Sequence, residues 1–249
     1  DGRHRHQRYR GGTYGLFLAN TGSQIASTSG AISLTGSGGT WDIADYSSAS
    51  SAKIGYDGAT TYSGNIALTA NTLSMPTFAI QSTGTLTIQP RTAGTTVGVG
   101  SSSASGTLQL PQSYFWNGAT GIIKNGFSSI TIGSSTAGDI TVGSLTYSDP
   151  LTLKTAGNIA ASGTLNSATG QAAGLTLWAD ADNNESGDIT LASSTSMSTL
   201  GGHLIFGGGS NPSTDAAVGA AEISHSGILI NTSSVLDAGG GNIILIGTG

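Results

Sequence analysis

The chain has 249 residues, of which 40 are Gly, eight are Lys or Arg, thirteen are Asp or Glu, and none is Cys. Gly costs about 1 kcal/mol in a helix interior, so this composition excludes an all-helical fold, and 37% hydrophobic residues with a net charge of only -5 exclude a disordered chain. The absence of Cys removes disulfide frameworks, thiolate metal sites and Cys nucleophiles, and no apolar run approaches the roughly 18 residues that a membrane helix requires.

In chain order the first feature is a basic head. Arg3, Arg5, Arg8 and Arg10 put half of the basic residues into the first ten positions, while the part from 130 onward carries nine acids against Lys154. This polarity predicts a docking arm over residues 1–12, able to attract the acidic end of a second molecule over about a Debye length. His4 and His6 fall in the same arm. Four Arg and a single Tyr9 on an acidic protein do not make a nucleic-acid interface. The chain starts at Asp1 rather than Met, which reads as a processed product or a piece of something longer.

From residue 13 a short word recurs: Gly, a small or polar residue, then apolar, small, apolar. It stands at Gly30–Leu34, Gly64–Leu68, Gly84–Ile88, Gly106–Leu110, Ser128–Ile132, Gly138–Val142, Gly187–Leu191 and Gly241–Leu245. Alternation of this kind marks strands with one buried face, and the Gly/Ser/Asn/Asp clusters between them are turn chemistry. From Ile66 through Leu86, Leu108 and Ile130 to Leu151 the spacing stays at 20 to 22 residues, with further strands at Ile80, Val97, Ile140 and Leu145. The reading is an all-β chain, a parallel β-helix (β-solenoid) over 13–249 as a single elongated domain, with roughly eleven coils stacked about 4.8 Å apart. Ile66, Leu68, Leu86, Ile88, Leu108, Leu110, Ile130 and Ile132 are the expected inward residues, and Thr87, Gln109, Thr131, Thr141, Thr152, Thr176 and Thr190 the expected outward ones. A β-sandwich is the alternative that short strands at this spacing leave open.

The words GNIALTANTLS, IQSTGTLTIQPRTAG, GFSSITIGSSTAGDITVGSLTYSDPLTLKT and LTLWADADNNESGDITL, between about Thr60 and Ser193, resemble those of filamentous-haemagglutinin-like bacterial surface proteins. The opening GLFLANTGSQIASTSGAISLTGSGG is similar to their short repeats. The resemblance implies a right-handed parallel β-helix, secretion to the medium or the bacterial cell surface, and a place in adhesion, biofilm matrix or long extracellular fibres. Such repeats specify architecture more than activity.

Candidate sites are few. Asp180, Asp182, Asn184 and Asp188 place oxygen ligands at alternate positions, as Ca²⁺ prefers, although Glu185 and Leu191 stand where an EF-hand loop needs Gly and a bidentate Glu. A solvated turn is the plain alternative, and no other cofactor is expected. Tyr114, Phe115 and Trp116 interrupt the repeat as a platform for glycans or partner subunits, or else as a plug in a wide coil. Ile243 and Leu245 lie in a last strand with no cap after it, which with the Arg head forms an end-to-end docking pair. No Asp-rich word carries a basic residue, and His203 and His225 sit in strand-like words, so an enzyme is not expected. The expected function is a secreted structural protomer that self-associates into a filament, sheath or matrix. The alternative is an adhesin stalk whose loops touch glycans or neighbouring cells.

Overall fold

The structure is a computed structural model that describes residues 13–18, 22–45, 52–101, 104–219 and 226–249. The basic head with Arg3, Arg5, Arg8 and Arg10, and also His4, His6, Tyr9 and His225, lies outside the described residues.

Strand pairing settles the architecture. Every ladder between named strands is parallel, which removes the antiparallel sandwich and leaves a parallel β-solenoid. Its spine is one eight-stranded sheet built, in order, from Ile32–Thr35, Ile66–Thr69, Thr85–Gln89, Ser129–Gly133, Leu151–Lys154, Leu175–Trp178, Leu204–Gly207 and Ile243–Leu245. Between successive spine strands the chain crosses a second face and then a third.

These strands are short because alternation holds for only three to five residues before a Gly or a polar cluster turns the chain. Inward side chains then stack in register from winding to winding. Ile32, Ile66, Leu86, Ile130, Leu151, Leu175, Leu204 and Ile243 form one continuous ladder. All but the last are buried. A second row, from Leu68 through Ile88, Ile132, Leu153 and Leu177 to Phe206, is fully buried beside it. Each such side chain contributes about 1.5–3 kcal/mol relative to exposure. The eight residues expected inward are all buried, and among those expected outward the Thr side chains are half-buried and Gln109 is exposed.

Corners are braced by buried hydroxyls. The Ser82 hydroxyl donates to the Gly64 carbonyl of the preceding winding at 2.6 Å and accepts from the Gly84 N–H at 2.9 Å. Thr155 repeats the device, donating to the Gly138 carbonyl at 2.7 Å and accepting from the Gly157 N–H at 3.0 Å. At the corner before it Gly133 has φ +91°, and a Cβ there would collide with the Lys154 carbonyl oxygen.

The coil count differs from the sequence expectation. The spine shows eight windings rather than about eleven, because the period varies from 20 residues, between Ile66 and Leu86, to 44, between Leu86 and Ile130. Leu108, expected on the spine, lies on the second face in register with Val97. In that long winding the chain lays down two layers on each of the other faces. Val97–Gly100 and Leu108–Pro111 pair with each other on the second face. On the third face, Ile123 bridges Ile80 on one side and Phe115 on the other. Above Phe115 the Gln112 side chain stands in for a strand, accepting from the Thr146 N–H at 2.6 Å and donating to the Thr146 carbonyl at 3.0 Å.

Candidate functional site

The second face is not continuous. Tyr14–Leu18, Trp41–Asp45 and Leu73–Ser74 form one sheet, and Leu108–Pro111 begins another that runs through Val97–Gly100, Ile140–Val142, Ile159–Ala161 and Ile189–Leu191 to Ile228–Ile230. Among the described residues, Leu73–Ser74 pairs with Trp41–Asp45 alone, and Leu108–Pro111 with Val97–Gly100 alone. Between these two strand edges lies a groove of about 560 Å³.

Its floor and walls are fixed by the fold. Trp41 opens its strand in register with Tyr14, and the next residue, Asp42, is buried and holds the turns on either side. The Asp42 carboxylate accepts from the Gly38 N–H at 2.8 Å and from the Asn71 N–H at 2.6 Å, which ties the approach to Trp41 to the approach to Leu73. Arg91 adds a 3.8 Å ion pair to the same carboxylate. Across the groove the Tyr114 hydroxyl accepts from the Met75 N–H at 3.0 Å, and burial raises the phenol above its ordinary value. Thr40, Thr72, Gln109 and Ser113 supply hydroxyl and amide groups, and none of the eleven lining residues is charged. Trp41 is 37% exposed and lines the groove.

The aromatic platform expected at Tyr114, Phe115 and Trp116 divides. Phe115 is 1% exposed and Tyr114 is also buried, so these two fill the wide winding. Only Trp116 reaches the surface, where the Lys124 ammonium stands 5.1 Å from its ring centroid. Of the platform, Tyr114 alone lines the groove.

The acidic loop serves its own backbone. Asp180 is buried at φ +46° and accepts from the Asn184 N–H at 2.9 Å, while the Asn184 amide donates to the Asp182 carboxylate at 2.8 Å. Burial raises the Asp180 carboxyl above its ordinary value, opposed by hydrogen bonds from the Asn184 and Ser186 backbone. The Asp188 N–H donates to Asn158 at 3.0 Å on the neighbouring winding. Among the described residues no group of three or more His, Asp or Glu converges on a point that could hold a metal ion.

The highest-numbered strands carry exposed aliphatic side chains. Among the described residues, Ile228–Ile230, Val235–Asp237 and Ile243–Leu245 each pair with the winding before and with no other strand. Ile230, Ile243 and Leu245, in register with the buried Leu191, Leu204 and Phe206, are 40–45% exposed, and a depression of about 370 Å³ is lined by Ile228, Ile230 and Leu245. Leu229 and Val235, in register with outward Thr190 and Ser196, are exposed on the flank. Among the described residues no helix is long and apolar enough to cross a membrane. Sequence reasoning singled out Ile243 and Leu245 as docking candidates, and both side chains are exposed. It missed the groove, whose walls are brought together by pairing rather than by sequence proximity.

No family model, curated protein or solved structure matches the chain.

Proposed function

We propose that the chain is a structural β-solenoid protomer of an extracellular or bacterial cell-surface fibre, sheath or matrix, in which windings of successive copies stack end to end. The observation that carries this reading is the stack of in-register parallel windings over one continuous apolar ladder, which among the described residues runs to Ile228–Ile230, Val235–Asp237 and Ile243–Leu245, each paired on one side. An open parallel edge over an apolar core is a template for another parallel winding. At the other end of the described residues, Tyr14–Leu18, Gln24–Ile25 and Ile32–Thr35 likewise pair on one side. Joining a last winding to the first winding of another copy is a head-to-tail contact that does not close on itself, and so extends as a filament.

Two further observations support a structural role over catalysis. Asp42, Asp45, Asp57, Asp139, Asp149, Asp180, Asp215 and Asp237 all accept hydrogen bonds from backbone N–H groups, so these carboxylates brace turns. The groove contains no carboxylate, His or Lys. The surface location rests on the resemblance of the repeat words to filamentous-haemagglutinin-like proteins.

Electron microscopy and sedimentation over a concentration series test the reading. The wild-type chain forms filaments as concentration rises, and Ile243→Lys with Leu245→Lys stays monodisperse with an unchanged circular dichroism spectrum. A wild-type chain that remains monomeric throughout, or a double variant that polymerises equally well, overturns it.

A further inference from the structure

We infer that the groove between Leu73–Ser74 and Leu108–Pro111 is a binding site for an uncharged polysaccharide, with Trp41 as the stacking platform. This inference is independent of end-to-end assembly, because the groove opens on the side of the rod.

The lining selects the chemistry of the ligand. A volume of about 560 Å³ is that of a small-ligand site. With no charged side chain in the lining, neither a polyanion nor a charged peptide finds a partner. What the groove offers is a partly exposed indole beside hydroxyl and amide groups on Thr40, Thr72, Gln109 and Ser113. A pyranose ring presents the matching surfaces: a face of C–H bonds that packs on an aromatic plane, and equatorial hydroxyls that exchange hydrogen bonds with neutral polar groups. Tyr14 extends the platform. It is 41% exposed and sits opposite Trp41 on the adjacent strand, one spacing of about 4.8 Å away. Phe17 stacks on the Tyr14 ring at 4.6 Å between centroids and holds it in place just outside the groove lining, where a chain of sugars longer than the groove would reach it.

The other occupant to weigh is a peptide strand inserted between the open edges. The edges argue against it. One is only two residues long, Leu73–Ser74, and the other ends in Pro111, which has no N–H to give a ladder. A strand would gain few main-chain bonds there.

The experiment measures binding of cellohexaose, laminarihexaose and maltohexaose by calorimetry and Trp fluorescence, with hexagalacturonate and a neutral Thr/Val strand-forming peptide as the other ligands. Saturable binding of at least one neutral hexasaccharide is expected, with a Kd of about 1 mM or tighter. Trp41→Ala weakens it about tenfold or more with an unchanged melt, and Gln109→Ala, a second exposed lining position, weakens it without touching the aromatic face. The inference is overturned by any of three results: no neutral hexasaccharide saturates; both variants bind as the wild type does; or hexagalacturonate or the peptide binds more tightly than every neutral sugar.

Discussion

Removing the Thr155 hydroxyl isolates what a corner brace contributes. Thr155→Val keeps the volume and the β-branch of a fully buried side chain, so packing is preserved and only the hydrogen bonds are lost. The Gly138 carbonyl loses its 2.7 Å donor and the Gly157 N–H its 3.0 Å acceptor. An orphaned buried polar group costs about 1–3 kcal/mol. Both glycines are only half-buried, so water reaches part of each group and the low end applies to each, giving a loss of about 2 kcal/mol. Urea unfolding followed by far-ultraviolet circular dichroism reads this as a lower midpoint with an unchanged slope. Thr155→Ser keeps the hydroxyl and sacrifices one methyl, so it falls between the two, at a loss of about 0.8 kcal/mol. A Thr155→Val midpoint within about 0.5 kcal/mol of wild type refutes the idea that buried hydroxyls hold the corners.

Two further outcomes follow from the packing and the charges. Leu204→Ala, in the buried part of the spine ladder, costs about 2–5 kcal/mol. Ile243→Ala, one step further along the same ladder and 45% exposed, costs less than half as much in dilute samples; equal losses refute the exposed position of Ile243. Asp149 is buried, and desolvation holds its carboxyl above the ordinary 3.8 despite the Gly126 N–H it accepts at 3.0 Å. Its folded form keeps a proton that the unfolded chain releases, so its contribution is fully present below 3.8 and is lost as pH rises through the shifted value. Asp149→Asn therefore gains in urea midpoint over wild type between pH 4 and pH 7; a difference that does not change with pH refutes the assignment.

Much of this fold was legible because the core is one-dimensional. A residue's burial depends on its place in a short alternating word, and the words alone align Ile66, Leu86, Ile130 and Leu151. Winding length was not legible. Between Gln89 and Ser129 the chain still writes strand words, such as Gly106–Leu110, and nothing in the word says whether it continues the spine or doubles another face. Pairing decides that, and it sent Leu108 to Val97. The groove was hidden for the same reason, since Trp41 and Gln109 are 68 positions apart and meet only because one strand was laid back beside an earlier winding. The aromatic cluster Tyr114–Trp116 was visible as an irregularity, but which rings fill the interior depends on the extra space that the doubled layers enclose.

The doubled layers also account for the opening in the wall. Over one winding two sides gain an extra step of about 4.8 Å that the spine does not. On the third face Ile123 bridges both Ile80 and Phe115, so the surplus layer is stitched to the winding below. On the second face Leu108–Pro111 pairs with Val97–Gly100 but, among the described residues, not with Leu73–Ser74, so two strand edges face each other without a ladder. An added layer in a repetitive wall thus makes a lateral opening with nothing removed from the repeat itself.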